Sequence, residues 1–288
     1  MSLNVLTFKT LKAIKPMDIK ITGKDFLPMI QGGGYNILSG RGGVGKSMLA
    51  LTSMIDYLIA NPEKNGLGIF TEDGKIEINN RMWTVCKNKY KMTSLEYDEL
   101  LERCLFMTVE TLEPLQLIDR SQGIAKLSAV VNQLIQIIIS RQIGFVVFDP
   151  LKYFHQQEEN SNSEMKEVMS AFSKIGIDTG AVILVLHHSA KGTSGARGAS
   201  CIEDDSRLAY SLSQRMKKNN DGTVEVDEDF KGLVHLSVQK DNYRAFNTNT
   251  GKLFEDESKR LIRLFPRNPA AIEYTYEEVN TYASMPKI

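Results

Sequence analysis

Apolar residues in this chain gather in short runs separated by longer stretches of helical spacing, and the two kinds of segment alternate. Tyr35–Leu38 reads as a strand before a glycine-rich turn, and Met48–Ala60 as the helix after it. Residues 66–71 form a β-prone run that ends at Glu72-Asp73-Gly74, followed by a helical stretch over Ile76–Lys89. Ser94–Glu102 reads as a helix and Leu105–Thr108 as a short strand. The pattern then predicts a long helix over Ile124–Ser140, an apolar strand over Ile143–Phe148, a helix over Ser163–Thr179 and a buried strand over Ala181–Leu186. Alternation of this kind predicts an α/β fold, a mostly parallel sheet flanked by helices on both faces. Beyond residue 205 the pattern changes. Ser206–Arg215, Leu233–Lys240, Leu261–Phe265 and Ile272–Tyr276 read as strands joined by polar turns such as Asn219-Asn220-Asp221-Gly222, which predicts antiparallel strands added at the sheet edge near the C-terminus. With no internal repeat or low-complexity linker, the expected organisation is an N-terminal arm over residues 1–30 and a single domain over residues 31–288.

Composition narrows the class without naming a function. A chain of 288 residues can bury a full core. No apolar run approaches the length that spans a bilayer, and the N-terminus lacks the core of a signal peptide. Cys86, Cys104 and Cys201 lie far apart without metal-ligand spacing, so the expectation is a reduced, cytoplasmic protein that does not engage a membrane. Lys and Arg number 35, as do Asp and Glu, so the formal net charge is zero. Any nucleic-acid site must therefore be a local patch.

The candidate chemistry begins at Gly40-Arg41-Gly42-Gly43-Val44-Gly45-Lys46-Ser47, which spells G-x-x-x-x-G-K-[ST]. Glycines at these positions let backbone N–H groups, through Val44 and on to Met48, curl around phosphates. The Lys46 ammonium neutralises the β- and γ-phosphates, and the Ser47 hydroxyl coordinates Mg²⁺. The reading is a site for ATP or another nucleoside triphosphate with Mg²⁺. Asp149 closes an apolar strand, where its carboxylate can hold the Mg²⁺ water shell opposite Ser47; the plainer reading is an acid at a turn before Pro150. Glu72 ends the strand after the phosphate loop, on the side of the sheet that lines a ligand crevice, and can polarise an attacking water. Asp73 competes for that role, and either acid can equally be a turn residue or a helix cap. His187 and His188 end the next strand and offer imidazole donors to a γ-phosphate. The segment Ser189–Ser200 that follows is rich in Gly and Ser and contains Lys191 and Arg197 but no acid. It can grip a polynucleotide backbone, or it can be an ordinary surface loop.

The strings GRGGVGKSMLAL, FTEDG, VVFDPLKYFH, VLHHSAKG and VQKDNY, in this order, resemble the RepA-type hexameric replicative DNA helicases of plasmids, which belong to the RecA/DnaB-like P-loop ATPases. The resemblance runs from about residue 30 to residue 245. It implies a RecA-like core, an ATP-hydrolysing ring of six copies and translocation along single-stranded DNA in replication. By the same resemblance, Lys46 and Ser47 bind phosphate and Mg²⁺, Glu72 is the catalytic base and Asp149 the Mg²⁺-linked acid. His188, with His187 beside it, senses the γ-phosphate. Arg207 is an arginine finger offered to a neighbouring subunit, and Lys240 and Tyr243 lie in a hairpin that approaches that neighbour's nucleotide. Arg81 matches a family arginine without a mechanism attached. Two features depart from the pattern. Nothing resembles the primase-binding domain of DnaB-type helicases, so a primase or loader partner stays open. Glu158-Glu159 would repel DNA if they faced a channel. Three other readings remain: a filament-forming recombination ATPase, a nucleotide-switched DNA-binding regulator or helicase loader, and a small-molecule kinase.

Overall fold

The computed structural model describes residues 20–22, 27–110, 115–121, 123, 125–188, 199–214, 216–219, 221–226, 233–241, 247–248, 251–252 and 259–263. In chain order the elements are β1 (Lys20–Thr22), β2 (Met29–Gln31), β3 (Asn36–Gly40), α1 (Lys46–Ala60), β4 (Asn65–Phe70), α2 (Lys75–Tyr90), α3 (Ser94–Glu102) and β5 (Cys104–Met107). There follow β6 (Ile118–Asp119), β7 (Lys126–Leu127), α4 (Ala129–Ser140), β8 (Ile143–Asp149), a 3₁₀ turn (Leu151–Tyr153), α5 (Asn162–Thr179) and β9 (Val182–His188). The last group is α6 (Cys201–Asp204), β10 (Leu208–Gln214), β11 (Met216–Lys218), β12 (Val224–Val226), β13 (Leu233–Asp241), β14 (Asn247–Thr248), β15 (Gly251–Lys252) and β16 (Lys259–Arg263). The expected strand over Ile272–Tyr276 and most of the expected arm lie outside the described residues. Within residues 20–31, β1 pairs with β2, and Leu27, Met29 and Ile30 are buried in the core.

The main sheet runs β16-β13-β10-β3-β9-β8-β4-β5. From β10 to β5 neighbouring strands are parallel, while β13 and β16 are antiparallel additions at one edge. Leu208–Gln214, expected among the edge strands, belongs to both regimes. It runs parallel to β3 and antiparallel to β13. The fully apolar strands are buried on both faces, because successive side chains point to opposite sides. Val182, Leu184 and Leu186 of β9 join α1 and α2 in one core layer; Ile183 and Val185 join α4 and α5 in the other. In the second layer Phe148 meets Phe154 and Phe172 edge-to-face, with ring centroids 5.1 and 4.9 Å apart. Each such pair adds about 0.5–1.5 kcal/mol beyond its buried area. Among the described residues, no helix is long and apolar enough to cross a membrane.

The helix expected from Ile124 starts at Ala129 instead. Lys126-Leu127 pair with Ile118-Asp119, and at Ser128 the backbone N–H donates to the Leu117 carbonyl while Oγ donates to Gln116. Those bonds satisfy the backbone groups here outside a helix, so tertiary pairing overrides the local apolar period.

A close backbone contact links the core to the loop before β3. Gly176 of α5 lies so near the Gly34 carbonyl that a Cβ there would overlap it. Alanine normally gains about 0.8–1 kcal/mol over glycine inside a helix. Here the collision is with main chain, and overpacking typically costs about 1–3 kcal/mol. Gly176→Ala should therefore lower stability, read as a drop in the midpoint of thermal unfolding; an unchanged or raised midpoint would contradict this packing.

Candidate functional site

The phosphate loop joins β3 to α1. Gly43 and Gly45 adopt φ of 76° and 102°, a region that side-chain-bearing residues avoid, so the sequence needs glycine at both. The loop closes around Lys46, whose side chain is buried and donates to the carbonyls of Gly40 at 2.8 Å and Arg41 at 2.9 Å. Burial lowers the lysine pKa, and Asp149 and Glu72 oppose that shift. Val44 packs into the core beside Met48, and Met48 also lines the pocket.

Sheet register brings the other groups to this loop. Gly40 is level with His188 on β9, and Phe70 on β4 is level with Asp149 on β8. Ser47 Oγ donates to Asp149 Oδ2 at 2.5 Å. Asp149 is buried, and loss of solvent pushes its pKa up to about 6 despite that bond. The Thr71 N–H and hydroxyl both donate to the Asp149 carbonyl, at 2.9 and 3.2 Å, which fixes Glu72 one residue beyond. Gly42, Gly43, Gly45, Lys46, Ser47, Glu72, Asp73, Arg81, Asp149 and His188 face one pocket of about 110 Å³.

His188 Nδ1 lies 3.4 Å from Lys46 Nζ. An ammonium only donates, so Nδ1 accepts and Nε2 carries the proton, 3.9 Å from Glu72 Oε2. Burial, then the nearby Lys46 charge, lowers the His188 pKa, which keeps the ring neutral near pH 7. His187 does not line this pocket. It follows the strand alternation to the opposite face and is buried there, near His155, whose pKa burial also lowers. The tandem pair was expected to share the rim; the structure divides it.

Asp73 and Glu72, competitors in the sequence, are separated by their partners. Arg81 grips Asp73 through two hydrogen bonds of 2.6 and 2.9 Å, and also reaches Glu77 at 3.1 Å. This bidentate fork occupies both Asp73 oxygens. It supplies the physical role that the sequence left unassigned for Arg81. Glu72 instead meets Lys152 at the rim. Lys152 was missed in the sequence, where the only signal was its place three residues after the strand-ending acid.

Arg207 and Lys240 stand elsewhere. They line a separate cleft of about 630 Å³ with Lys166, Lys174, Asp204 and Asp205, and this cleft shares no lining residue with the phosphate pocket. Arg207 Nε donates to the Gly33 carbonyl at 2.5 Å, and Lys240 Nζ donates to the Asp204 carbonyl. Among the described residues, Arg207 forms no ion pair with Asp204 or Asp205. Lys191, Arg197 and Tyr243 lie outside the described residues. The described residues resume at Ala199, whose N–H donates to the Glu159 carbonyl at 2.7 Å.

The Ser47 and Asp149 oxygens are hard donors suited to Mg²⁺, and a carboxylate that desolvation has made more basic favours a cation beside it. Among the described residues no cluster of three His, Cys, Asp or Glu side chains makes an all-protein metal site. Two protein oxygens suit a Mg²⁺ that brings nucleotide phosphates and water as its other ligands.

Residues 20–194 match the model of a family described as AAA domain. The chain is also similar to two solved structures. One is the RadB recombinase, at 14% identity and a TM-score of 0.52, covering 81% of this chain and 88% of that one. The other is the KaiC-like protein PH0186 from the archaeon Pyrococcus horikoshii OT3, at 14% identity and a TM-score of 0.53, covering 86% and 91%. At such identity the likeness shows the fold, which is the RecA-like arrangement of a mostly parallel sheet flanked by helices.

Proposed function

The chain belongs to the AAA domain family, and from that premise we propose that it hydrolyses ATP and couples hydrolysis to movement along single-stranded DNA as a homo-oligomeric ring. One observation carries the hydrolytic half. Ser47 and Asp149 meet at 2.5 Å beside the buried Lys46, with Glu72 and the neutral His188 across the same pocket. That arrangement supports reading the pocket as a place for phosphate and metal binding, a carboxylate base and a hydrogen-bond donor to phosphate.

In the proposed mechanism the loop N–H groups and Lys46 bind the phosphates and neutralise their charge. Ser47 and Asp149 would hold Mg²⁺, which when bound would neutralise charge developing on the phosphates. Glu72 accepts the proton of the attacking water. His188 donates through Nε2 to the γ-phosphate and registers its departure. His188 is the last residue of β9, so a change at the phosphate is transmitted directly into the segment bearing Lys191 and Arg197, which we assign to the DNA backbone. Arg207, outside its own pocket, is assigned to a neighbour's nucleotide, with Lys240 alongside it. Six copies of the cationic segment around one channel would concentrate positive potential that the neutral chain lacks as a whole.

The resemblance to RepA-type plasmid helicases supports the further reading of a replicative helicase acting as a hexamer. The test is steady-state ATP hydrolysis with and without a single-stranded oligonucleotide, followed by strand displacement. We expect hydrolysis to rise at least several-fold with DNA and duplex to be unwound. DNA binding with hydrolysis indifferent to DNA and no unwinding would overturn the motor reading and favour a nucleotide-switched regulator or loader.

A further inference from the structure

The turn after Asp149 supplies a cation to which the mechanism above gives no role. Lys152 Nζ lies 2.8 Å from Glu72 Oε1, while His188 Nε2 faces the other carboxylate oxygen at 3.9 Å. The contact follows from the fold. Leu151 and Phe154 are fully buried and pin the turn to the core, with Phe154 edge-on to Phe148. Lys152, between them, is left at the rim with its ammonium 4.9 Å from the centre of the Tyr153 ring. Because β4 and β8 are adjacent and in register at Phe70 and Asp149, the turn after one strand faces the turn after the other. The ion pair therefore bridges two strand ends at the mouth of the phosphate pocket.

We infer that Lys152 is a positioning residue that restrains the candidate base, holding Glu72 on an oxygen that must be free before water can be activated. The inference rests on the reading of Glu72 as the base. A general base needs an open lone pair within hydrogen-bond reach of the water proton. Here Oε1 of Glu72 is held by the ammonium, while Oε2 lies 3.9 Å from the imidazole, beyond hydrogen-bond reach. Among the described residues, Lys152 alone therefore fixes the direction in which the carboxylate is turned. Both members of the ion pair are about two-fifths exposed, at 43% and 42%, so the pair is held weakly and opens readily. Its hydrogen bond to Glu72 raises the Lys152 pKa, so the lysine stays charged throughout the neutral range. A phosphodiester backbone arriving at this rim offers the ammonium another anion and frees the carboxylate. Hydrolysis then depends on the polynucleotide through an ion-pair exchange, without a large rearrangement of the core.

The test compares wild type, K152M and K152R in steady-state ATP hydrolysis, with and without a single-stranded oligonucleotide, with E72Q alongside. Methionine keeps most of the unbranched stem, one atom shorter, and removes the charge. For K152M we expect hydrolysis without DNA to rise several-fold and the ratio of stimulated to basal rate to shrink toward one. K152R keeps a cation at the same reach and should behave as wild type, which a purely structural role for the side chain would not require. A K152M rate without DNA that is unchanged or lower would overturn the restraint, and a lower rate would mean that Lys152 aids the base. E72Q separates the two readings. If E72Q is inactive and K152M shows no rise, only the restraint fails; if E72Q hydrolyses like wild type, the assignment of the base fails and the restraint with it. Should K152M fold poorly by thermal midpoint and sizing, K152Q provides the same charge removal with a polar side chain.

Discussion

Glu72→Gln should bind nucleotide as the wild type does and hydrolyse it about 10²–10⁴-fold more slowly. The magnitude is that of removing a general base. The binding half follows from the proposed division of roles, in which Lys46, Ser47 and the loop backbone hold the phosphates and Glu72 acts on the attacking water. Stability should change by no more than about 0.5 kcal/mol, since Glu72 is exposed and, among the described residues, its hydrogen-bonded ion-pair partner is the exposed Lys152. The alternative base, Asp73, has both oxygens on Arg81, so it is poorly placed to rescue the variant. Titration with a fluorescent ATP analogue gives the affinity, and phosphate release gives the rate. A rate within tenfold of wild type, at unchanged affinity, would remove Glu72 from the mechanism.

Arg207→Ala should lower hydrolysis by the assembled protein about 10³-fold or more, the range measured when an arginine finger is supplied or withheld. Arg207 lies in a cleft that shares no lining residue with the phosphate pocket of its own chain, which supports the proposal that it acts on a neighbour's nucleotide. Each subunit's own affinity for nucleotide should therefore survive. Mixing supplies the decisive arm. Subunits with Lys46→Ala keep Arg207 but lose their phosphate site, and subunits with Arg207→Ala keep the phosphate site. Mixed assemblies should recover part of the activity that neither parent shows. No recovery on mixing, with assembly demonstrated by sizing, would argue against a role in trans. The substitution also removes the charged hydrogen bond to the Gly33 carbonyl, worth about 1.5–3 kcal/mol. Thermal midpoints must accompany the rates.

The phosphate loop was legible because its chemistry is contiguous. The glycines, Lys46 and Ser47 sit within eight residues, and the strand and helix that flank them show in the local apolar period. The fully apolar strands β8 and β9 were legible for the same reason, as were Asp149 and His188 at their ends. Where longer-range pairing competes with the local period, the reading slipped. The start of α4 moved because β7 found a partner in β6.

Among the functional groups, the sequence alone determined which residue types reach the ends of the parallel strands, because a strand's length and terminus follow from a run of apolar side chains. Tertiary structure decided which of those residues face one another. Register set Glu72 beside Asp149 and opposite Lys152, while the turn into α2 gave Asp73 to Arg81, eight residues on. Strand alternation sent His188 into the pocket and His187 to the far side of the sheet. Strand direction put Arg207 and Lys240 level with the start of β3, at the end of the sheet opposite their own phosphate loop. The placements of Glu72 and Arg207 depend on pairings between distant segments, and such a partner is fixed only once the strands have chosen their neighbours.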